Sequence, residues 1–335
     1  MHLPLHDLLS FEMMVVKKHR NRFSNCSLIV VLVMAGWLSL ASHASAEEDG
    51  WQKAGSVRIA VIGDYGDDSQ AEADVAALVR SWKPDFVVTT GDNNYPAGAA
   101  DTIDETIGRS YHEFIAPYSG AYGPGADTNR FFPTLGNHDW DATTRATRLP
   151  QPYLNYFELP GNERYYDVAL GPVQIFAVDS DYREPDGSSS DSIQAAWLRQ
   201  RLAASTAPWK LVLMHEPPYS SGLHGSSTRL RWPYQTWGAS AVFSGHDHTY
   251  ERVVLDGFPY FVNGLGGSSR TWFVVPIPGS QVRYNADSGA MLIEASRERI
   301  TFKFISRKGQ VIDRYTLTAK PVPARFRNHP EAEAP

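Results

Sequence analysis

Cysteine is almost absent. One residue of 335, Cys26, carries a thiol, which excludes an internal disulfide framework and any cysteine-based zinc site. Positive charge is also scarce: 31 Lys and Arg face 37 Asp and Glu, a net charge of −6 with histidine neutral. A general nucleic-acid binder needs a basic face to release counterions from phosphate, so that class is set aside. The apolar run at residues 26–41 is 16 residues long, short of the roughly 20 that a membrane-spanning helix requires. We find no internal repeat. With 42% hydrophobic and 20% charged residues, the composition is neither disordered nor fibrous.

What is present begins with a leader. Lys17, Lys18, Arg20 and Arg22 precede the apolar run, and Ala44, Ser45 and Ala46 follow it. Basic, apolar, then small residues at −3 and −1 is the order of a secretory signal, with cleavage expected after Ala46. An uncleaved anchor is the competing outcome. The basic region starts well inside the chain, so Met13 and Met14 compete with Met1 as the start. The expected product is periplasmic or secreted, without stable membrane association after cleavage. Loss of residues 1–46 leaves 27 basic and 35 acidic residues, net −8, and no cysteine. Its stability therefore cannot rest on disulfides even in an oxidising compartment. Seven histidines remain: His112, His138, His215, His224, His246, His248 and His329.

Nine Trp, 16 Tyr and 15 Phe are ample for a large core, and the length permits two ordinary domains or one large α/β domain. Residues 57–63 and 85–91 read as short buried strands on either side of a helical pattern at 68–82. That is a βαβ unit with a parallel pair. Residues 101–118 read as helix and 131–136 as a third strand. Residues 165–180 read as two strands about Gly171 and Pro172, and 192–204 as an amphipathic helix. Residues 209–214 and 241–245 read as further buried strands. The stretch from Tyr260 to Thr318 is strand-rich, with a Lys308-Gly309 turn in its last hairpin. The expectation is one α/β domain over residues 47–320, two sheets between helical layers, and a frayed tail at 321–335.

The strands share a feature. Asp64, Asp92, Asn137, His215, His246 and His248 each follow an apolar strand-like run, which places them at carboxyl ends of strands, where open α/β sheets bind ligands. Carboxylate, amide oxygen and imidazole are ligands for divalent and trivalent first-row metals. His246 and His248 would oppose each other in an extended chain, but on a loop both can reach one metal cluster.

The order of the blocks is recognisable. Gly63-Asp64-Tyr65-Gly66, Gly91-Asp92-Asn93-Asn94-Tyr95 and Gly136-Asn137-His138-Asp139 are followed by Val212-Leu213-Met214-His215 and Gly245-His246-Asp247-His248. Together they resemble the calcineurin-like metallophosphoesterase superfamily over residues 57–267, and Asn263-Gly264-Leu265-Gly266-Gly267 looks like its late glycine-rich segment. Most members carry a histidine ligand where this chain has Gly66. Asp-x-Gly combined with Gly-Asp-x-x-Tyr, which ends at Tyr95, resembles the purple (tartrate-resistant) acid phosphatases. The phenolate is a hard anionic donor that favours Fe(III).

The resemblance implies a four-layer αββα metallophosphoesterase fold, two mixed β-sheets sandwiched between helices. It implies two metal ions about 3.5 Å apart. Fe(III) would be held by Asp64, Asp92, Tyr95 and His248. Fe(II), Zn(II) or Mn(II) would be held by Asp92, Asn137, His215 and His246, with Asp92 bridging. It implies phosphate binding and leaving-group protonation by His138 and His224, with Asp139 orienting His138 or supporting the ligands. The implied activity is acid phosphatase hydrolysis of phosphate monoesters by a metal-bound hydroxide, on a small phosphorylated substrate. A phosphodiesterase or nucleotidase on the same core is the alternative, and a non-catalytic metal- or phosphate-binding protein a further class. Residues 96–129 read as a pocket wall or lid. Arg145, Arg148, Arg183 and Arg229 read as solvated arginines ahead of contacts to a larger phosphorylated substrate.

Overall fold

Side chains along the strands alternate between two apolar cores. In β5 (Val173–Ala177), Ile175 and Ala177 join one cluster and Phe176 the other. In β6 (Trp209–Leu213), Leu211 and Leu213 part from Val212 in the same way. In β7 (Ala241–Ser244), Ala241 and Phe243 part from Val242. A strand buried on both faces reads as a continuous apolar run, which is why periodicity in the sequence did not announce two layers. Each Val, Leu, Ile or Phe among these contributes about 1.5–3 kcal/mol by leaving water.

The computed structural model describes residues 55–319 apart from Arg145 and Thr147. The expected leader, its cleavage site, the tail at 321–335 and Arg145 lie outside those residues. No helix among the described residues is long and apolar enough to cross a membrane.

The remaining strands are β1 (Val57–Ile62), β2 (Phe86–Thr89), β3 (Phe131–Phe132), β4 (Tyr166–Leu170), β8 (Tyr250–Leu255), β9 (Phe258–Asn263), β10 (Ser280–Tyr284), β11 (Gly289–Ala295), β12 (Arg299–Ser306) and β13 (Val311–Thr318). One sheet has the order β13-β12-β11-β1-β2-β3 and the other β10-β8-β9-β7-β6-β5-β4. Both are mixed. β1, β2 and β3 run parallel in the first, and β5, β6, β7 and β9 in the second. The larger apolar cluster draws on both sheets, through Ile59, Val61, Ile293 and Phe302 of one and Leu211, Phe243 and Phe261 of the other.

Helices close the outer faces. Helix α1 (Gln70–Ser81) starts where the Ser69 hydroxyl accepts from Glu72 N at 3.0 Å, and buries Val75 and Val79. Side-chain capping of this kind is worth about 1 kcal/mol. Helix α2 (Asn137–Trp140) is a single turn after β3, and α3 (Gln151–Tyr156) follows it. Helix α4 (Ile193–Ala204), capped by Ser192, and α5 (Tyr234–Trp237) pack Leu198, Leu202 and Tyr234 into the second cluster. This is the expected arrangement of two mixed sheets between helical layers.

Two local expectations change. Residues 101–118 do not form one regular helix: a π-turn at Asp104–Gly108 runs into a short α-turn and a 3-10 turn ending at Phe114. The Asp104 carboxylate accepts from Tyr118 Oη at 2.7 Å, Tyr156 Oη at 2.8 Å and Ala121 N at 2.8 Å. Those bonds hold the segment against a returning loop. The third strand stops at Phe132 because Pro133 has no N–H to continue the ladder.

Candidate metal centre

The turns after five of the parallel strands, β1, β2, β3, β6 and β7, carry polar residues into one place. Asp64 follows β1, Asp92 follows β2, Asn137 opens α2 after β3, His215 follows β6, and His246 and His248 follow β7. The chain reverses sharply to present them. Asp64, Asp92 and His246 have φ of 55°, 52° and 67°, the left-handed region that costs a non-glycine residue about 1 kcal/mol or more. Gly91, at φ 93°, sits against His215: a Cβ there would lie 2.7 Å from its Nδ1.

Tyr95 is at the middle of the first half. Its Oη donates to Asp92 Oδ2 at 2.9 Å, and lies 3.1 Å from His248 Nε2 and 3.3 Å from Asp64 Oδ1. His248 Nε2 is itself 3.3 Å from Asp64 Oδ1. Asp64, Asp92 and His248 bring one ligand atom each within 4.8 Å of the others. In the second half, His215 Nε2 is 3.0 Å from Asn137 Oδ1, 3.2 Å from His246 Nδ1 and 3.3 Å from Asp92 Oδ2. Asp92 Oδ2 thus faces both halves.

The histidine tautomers suit cation binding. His215 Nδ1 donates to Thr90 O at 2.9 Å, and His248 Nδ1 donates to Ser269 O. Each bond turns Nε2 into the site, the usual backing of a metal-ligating imidazole. No sequence pattern marks a backbone carbonyl, so these two partners were not legible beforehand.

Protonation follows the same logic. Burial disfavours charge on Asp92, yet His215 and His138 hold its carboxyl well below the usual carboxylate range. Burial alone would strip the proton from His215, but Asp92 raises that imidazole above its ordinary range. Burial works against His248 too, and the Asp64 bond lifts it to about 9. His246 is pushed down to about 2 by burial, His215 and His224, so its lone pair is free. Burial, then Asp64 and Asp92, keep the Tyr95 phenol protonated. Protons on His215 and His248 neutralise the two carboxylates at the positions where cations would do so, and a bound cation inverts the local order of acidities. Two carboxylates, a phenol, an amide oxygen and three imidazoles fit hard and borderline first-row ions.

Gly66 shows why the histidine of the commoner pattern has no place here. A Cβ at residue 66 would stand 1.8 Å from Asn93 O, and Tyr95 N donates to Gly66 O at 2.7 Å. The tyrosine-bearing turn is packed directly on the glycine. Gly66→Ala is therefore expected to destabilise the protein by about 3 kcal/mol or more. Chemical denaturation of wild type and variant measures this, and an unchanged midpoint would show that the turn relaxes freely.

His138 and His224 flank the cluster from two sides. The His138 ring lies 4.5 Å from the Tyr95 ring, its Nε2 is 3.9 Å from Asp92 Oδ2, and its Nδ1 donates to Pro96 O. His224 is exposed, with its ring 4.4 Å from that of His246. Asp247, buried between His246 and His248 in the chain, fixes the His224 loop by accepting from His224 N at 2.7 Å and Gly225 N at 3.2 Å. Asp139 does not reach His138. Its carboxylate accepts from Gly136 N, Asn93 N and Asn93 Nδ2 at 2.8–3.3 Å, which ties the Asp92 and Asn137 turns together from below. Arg183 and Arg229 are engaged by protein groups, and Arg148 is exposed.

The calcineurin-like phosphoesterase family matches residues 57–250. Tartrate-resistant acid phosphatase type 5 of Mus musculus is 22% identical over 331 residues, covering 86% of this chain and 96% of that one. Purple acid phosphatase 17 of Arabidopsis thaliana is 27% identical over 246 residues, covering 65% and 70%. Among solved structures, a purple acid phosphatase from yellow lupin seeds superposes with a TM-score of 0.65 at 19% identity, covering 79% of this chain and 54% of that one. GAP50, the anchor in the inner membrane complex of Plasmodium, superposes with a TM-score of 0.62 at 20% identity, covering 80% and 90%. At these identities the superpositions establish the fold. The family match spans more than half of the sequence, and the chain belongs to the calcineurin-like phosphoesterases, metal-dependent hydrolases of phosphoesters.

Proposed function

We propose that the protein is an acid phosphatase that hydrolyses phosphate monoesters at a dinuclear Fe(III)–M(II) centre, with Fe(II), Zn(II) or Mn(II) as the second ion. The observation that carries this reading is Tyr95: its Oη sits within 3.3 Å of Asp64, Asp92 and His248, while Gly66 leaves no room for a histidine. Asp64, Asp92, Tyr95 and His248 would hold the trivalent ion, and Asp92, Asn137, His215 and His246 the divalent one. When bound, the pair acidifies a water for in-line attack and neutralises the phosphoryl oxygens. The substrate is a small phosphorylated molecule, not nucleic acid. A periplasmic or secreted location agrees with the leader-like order of residues 17–46.

The residues of the chain do the rest. His138, backed by Pro96 O and the Tyr95 ring, presents Nε2 to a phosphoryl oxygen, and in its imidazolium form donates to the charge that develops there. His224, exposed and tilted against the His246 ring, would give a proton to the leaving oxygen. No serine or cysteine nucleophile enters the reading, so no covalent phosphoenzyme is expected.

The fold alone does not decide catalysis, because the superposed Plasmodium protein is described as an anchor. What favours an enzyme is that all seven donor positions are filled and converge. Hydrolysis of nitrophenyl phosphate against bis(nitrophenyl) phosphate by the purified protein tests the substrate class. Preference for the monoester is expected, and a preference for the diester would replace this reading with the phosphodiesterase alternative. His224→Ala is expected to slow release of a poor alkoxide leaving group about 100-fold and of nitrophenolate far less. Equal losses on both esters would remove His224 from the proton-donor role.

A further inference from the structure

Most parallel strands end in a donor to the centre, but β5 does not. Residues 179–183, Asp-Ser-Asp-Tyr-Arg, follow it after Val178, and none of their side chains reaches the cluster of carboxylates, phenol and imidazoles. They grip the two turns that do.

Ser180 is fully buried, and its hydroxyl accepts from His215 N at 3.1 Å and Glu216 N at 2.9 Å while donating to the Glu216 carboxylate. On the other side, Arg183 Nη2 donates to Asn137 O at 2.8 Å and Nη1 to Asp141 Oδ1 at 2.9 Å. Arg183 is itself held in a fork by Asp181, through Nε and Nη2 at 2.8 Å each, with its guanidinium over the Trp140 ring. Buried Asp179 accepts from Trp140 Nε1 at 3.0 Å. Arg229 Nη2 closes the bracket by donating to Ser180 O at 3.0 Å. Thus one ligand-free turn fixes both the Asn137–Trp140 turn and the start of the His215 loop. Those two segments supply Asn137 Oδ1 and His215 Nε2, which meet at 3.0 Å. It makes no such bonds to the Asp64, Tyr95 or His248 segments among the described residues.

We propose that Ser180 and Arg183 are positioning residues that set the affinity of the Asn137–His215–His246 half for its divalent ion, without touching it and without acting on the Tyr95 half. This rests on the two-metal reading above. Asymmetry is the specific content. Groups behind a ligand typically alter metal affinity 10- to 100-fold, and here they lie behind one half of the centre. Arg183 acts through a fork that a lysine cannot reproduce.

The test titrates Zn(II) into chelator-stripped full-length protein by calorimetry, for wild type, Arg183→Gln, Arg183→Lys and Ser180→Ala. Arg201→Gln serves as a control, since it loses only the exposed pair with Asp167. The visible band of iron-loaded samples reports the Tyr95 half independently, and melting temperature reports folding. Wild type and the control should show two sites. Arg183→Gln and Ser180→Ala should weaken one site 10- to 100-fold and leave the other site and the visible band in place, with Arg183→Lys between. Equal weakening of both sites, or unchanged affinities, in an Arg183 variant that melts as wild type overturns the proposal. Fewer than two sites in wild type overturns the two-metal reading and this inference with it.

Discussion

Asp92→Asn is expected to lower kcat/KM for a phosphomonoester by about 1,000-fold or more, and to leave at most one tightly held metal per chain. The substitution is chosen to isolate charge. Asp92 has φ 52°, a conformation that asparagine adopts as readily as aspartate, so the backbone is not disturbed. The side chain keeps its volume in a buried site, and Oδ1 still accepts from His138 N, a bond of 2.9 Å. What is lost is the anion that faces Tyr95 at 2.9 Å and His215 at 3.3 Å at once. An amide cannot place two anionic lone pairs on two cations. Circular dichroism and metal analysis accompany the kinetics. Activity within tenfold of wild type, with two metals retained, would remove Asp92 from the bridging position.

Much of this centre was legible in the sequence because strand ends announce themselves. A run such as Ile59–Ile62 is apolar throughout, and the Gly-Asp after it is the next polar step. Repeated over β1, β2, β6 and β7, that pattern picks out Asp64, Asp92, His215, His246 and His248. Asn137 joins them only through the longer strand expected at 131–136, since β3 ends five residues earlier at Phe132. The left-handed turns at Asp64, Asp92 and His246 were not legible, because aspartate and histidine enter that region only when tertiary contacts impose it. Backbone acceptors such as Thr90 O and Ser269 O leave no trace in residue type. The 101–118 helix failed for a related reason: the apolar spacing was there, and the Asp104 carboxylate then tied the chain to Tyr118 and Tyr156 across 14 and 52 residues. The ligand-free turn after β5 was invisible as a functional element, since Ser180 and Arg183 matter only through whose backbone they hold.

Tyr95→Phe is expected to abolish the visible colour of the protein while leaving the fold and the second half of the centre intact. The ring stays, and with it the packing against His138 at 4.5 Å and His248 at 6.0 Å. Only the oxygen is removed. In wild type that oxygen is kept protonated by burial and by Asp64 and Asp92, so an absorbing tyrosinate can form only when a cation at this position overrides two carboxylates. A trivalent ion does so more strongly than a divalent one, which links colour to Fe(III) and not to metal occupancy in general. A spectrum of protein purified without added metal, with metal analysis on the same sample, comes first: a broad visible band with about two metals per chain is expected. The band should vanish in Tyr95→Phe, while zinc or manganese binding at Asn137, His215 and His246 persists. A band that survives the substitution would assign the colour to another donor. A colourless wild type holding two divalent ions would make Tyr95 a hydrogen-bond donor to Asp92, and would bring diesters and nucleotides back as candidate substrates.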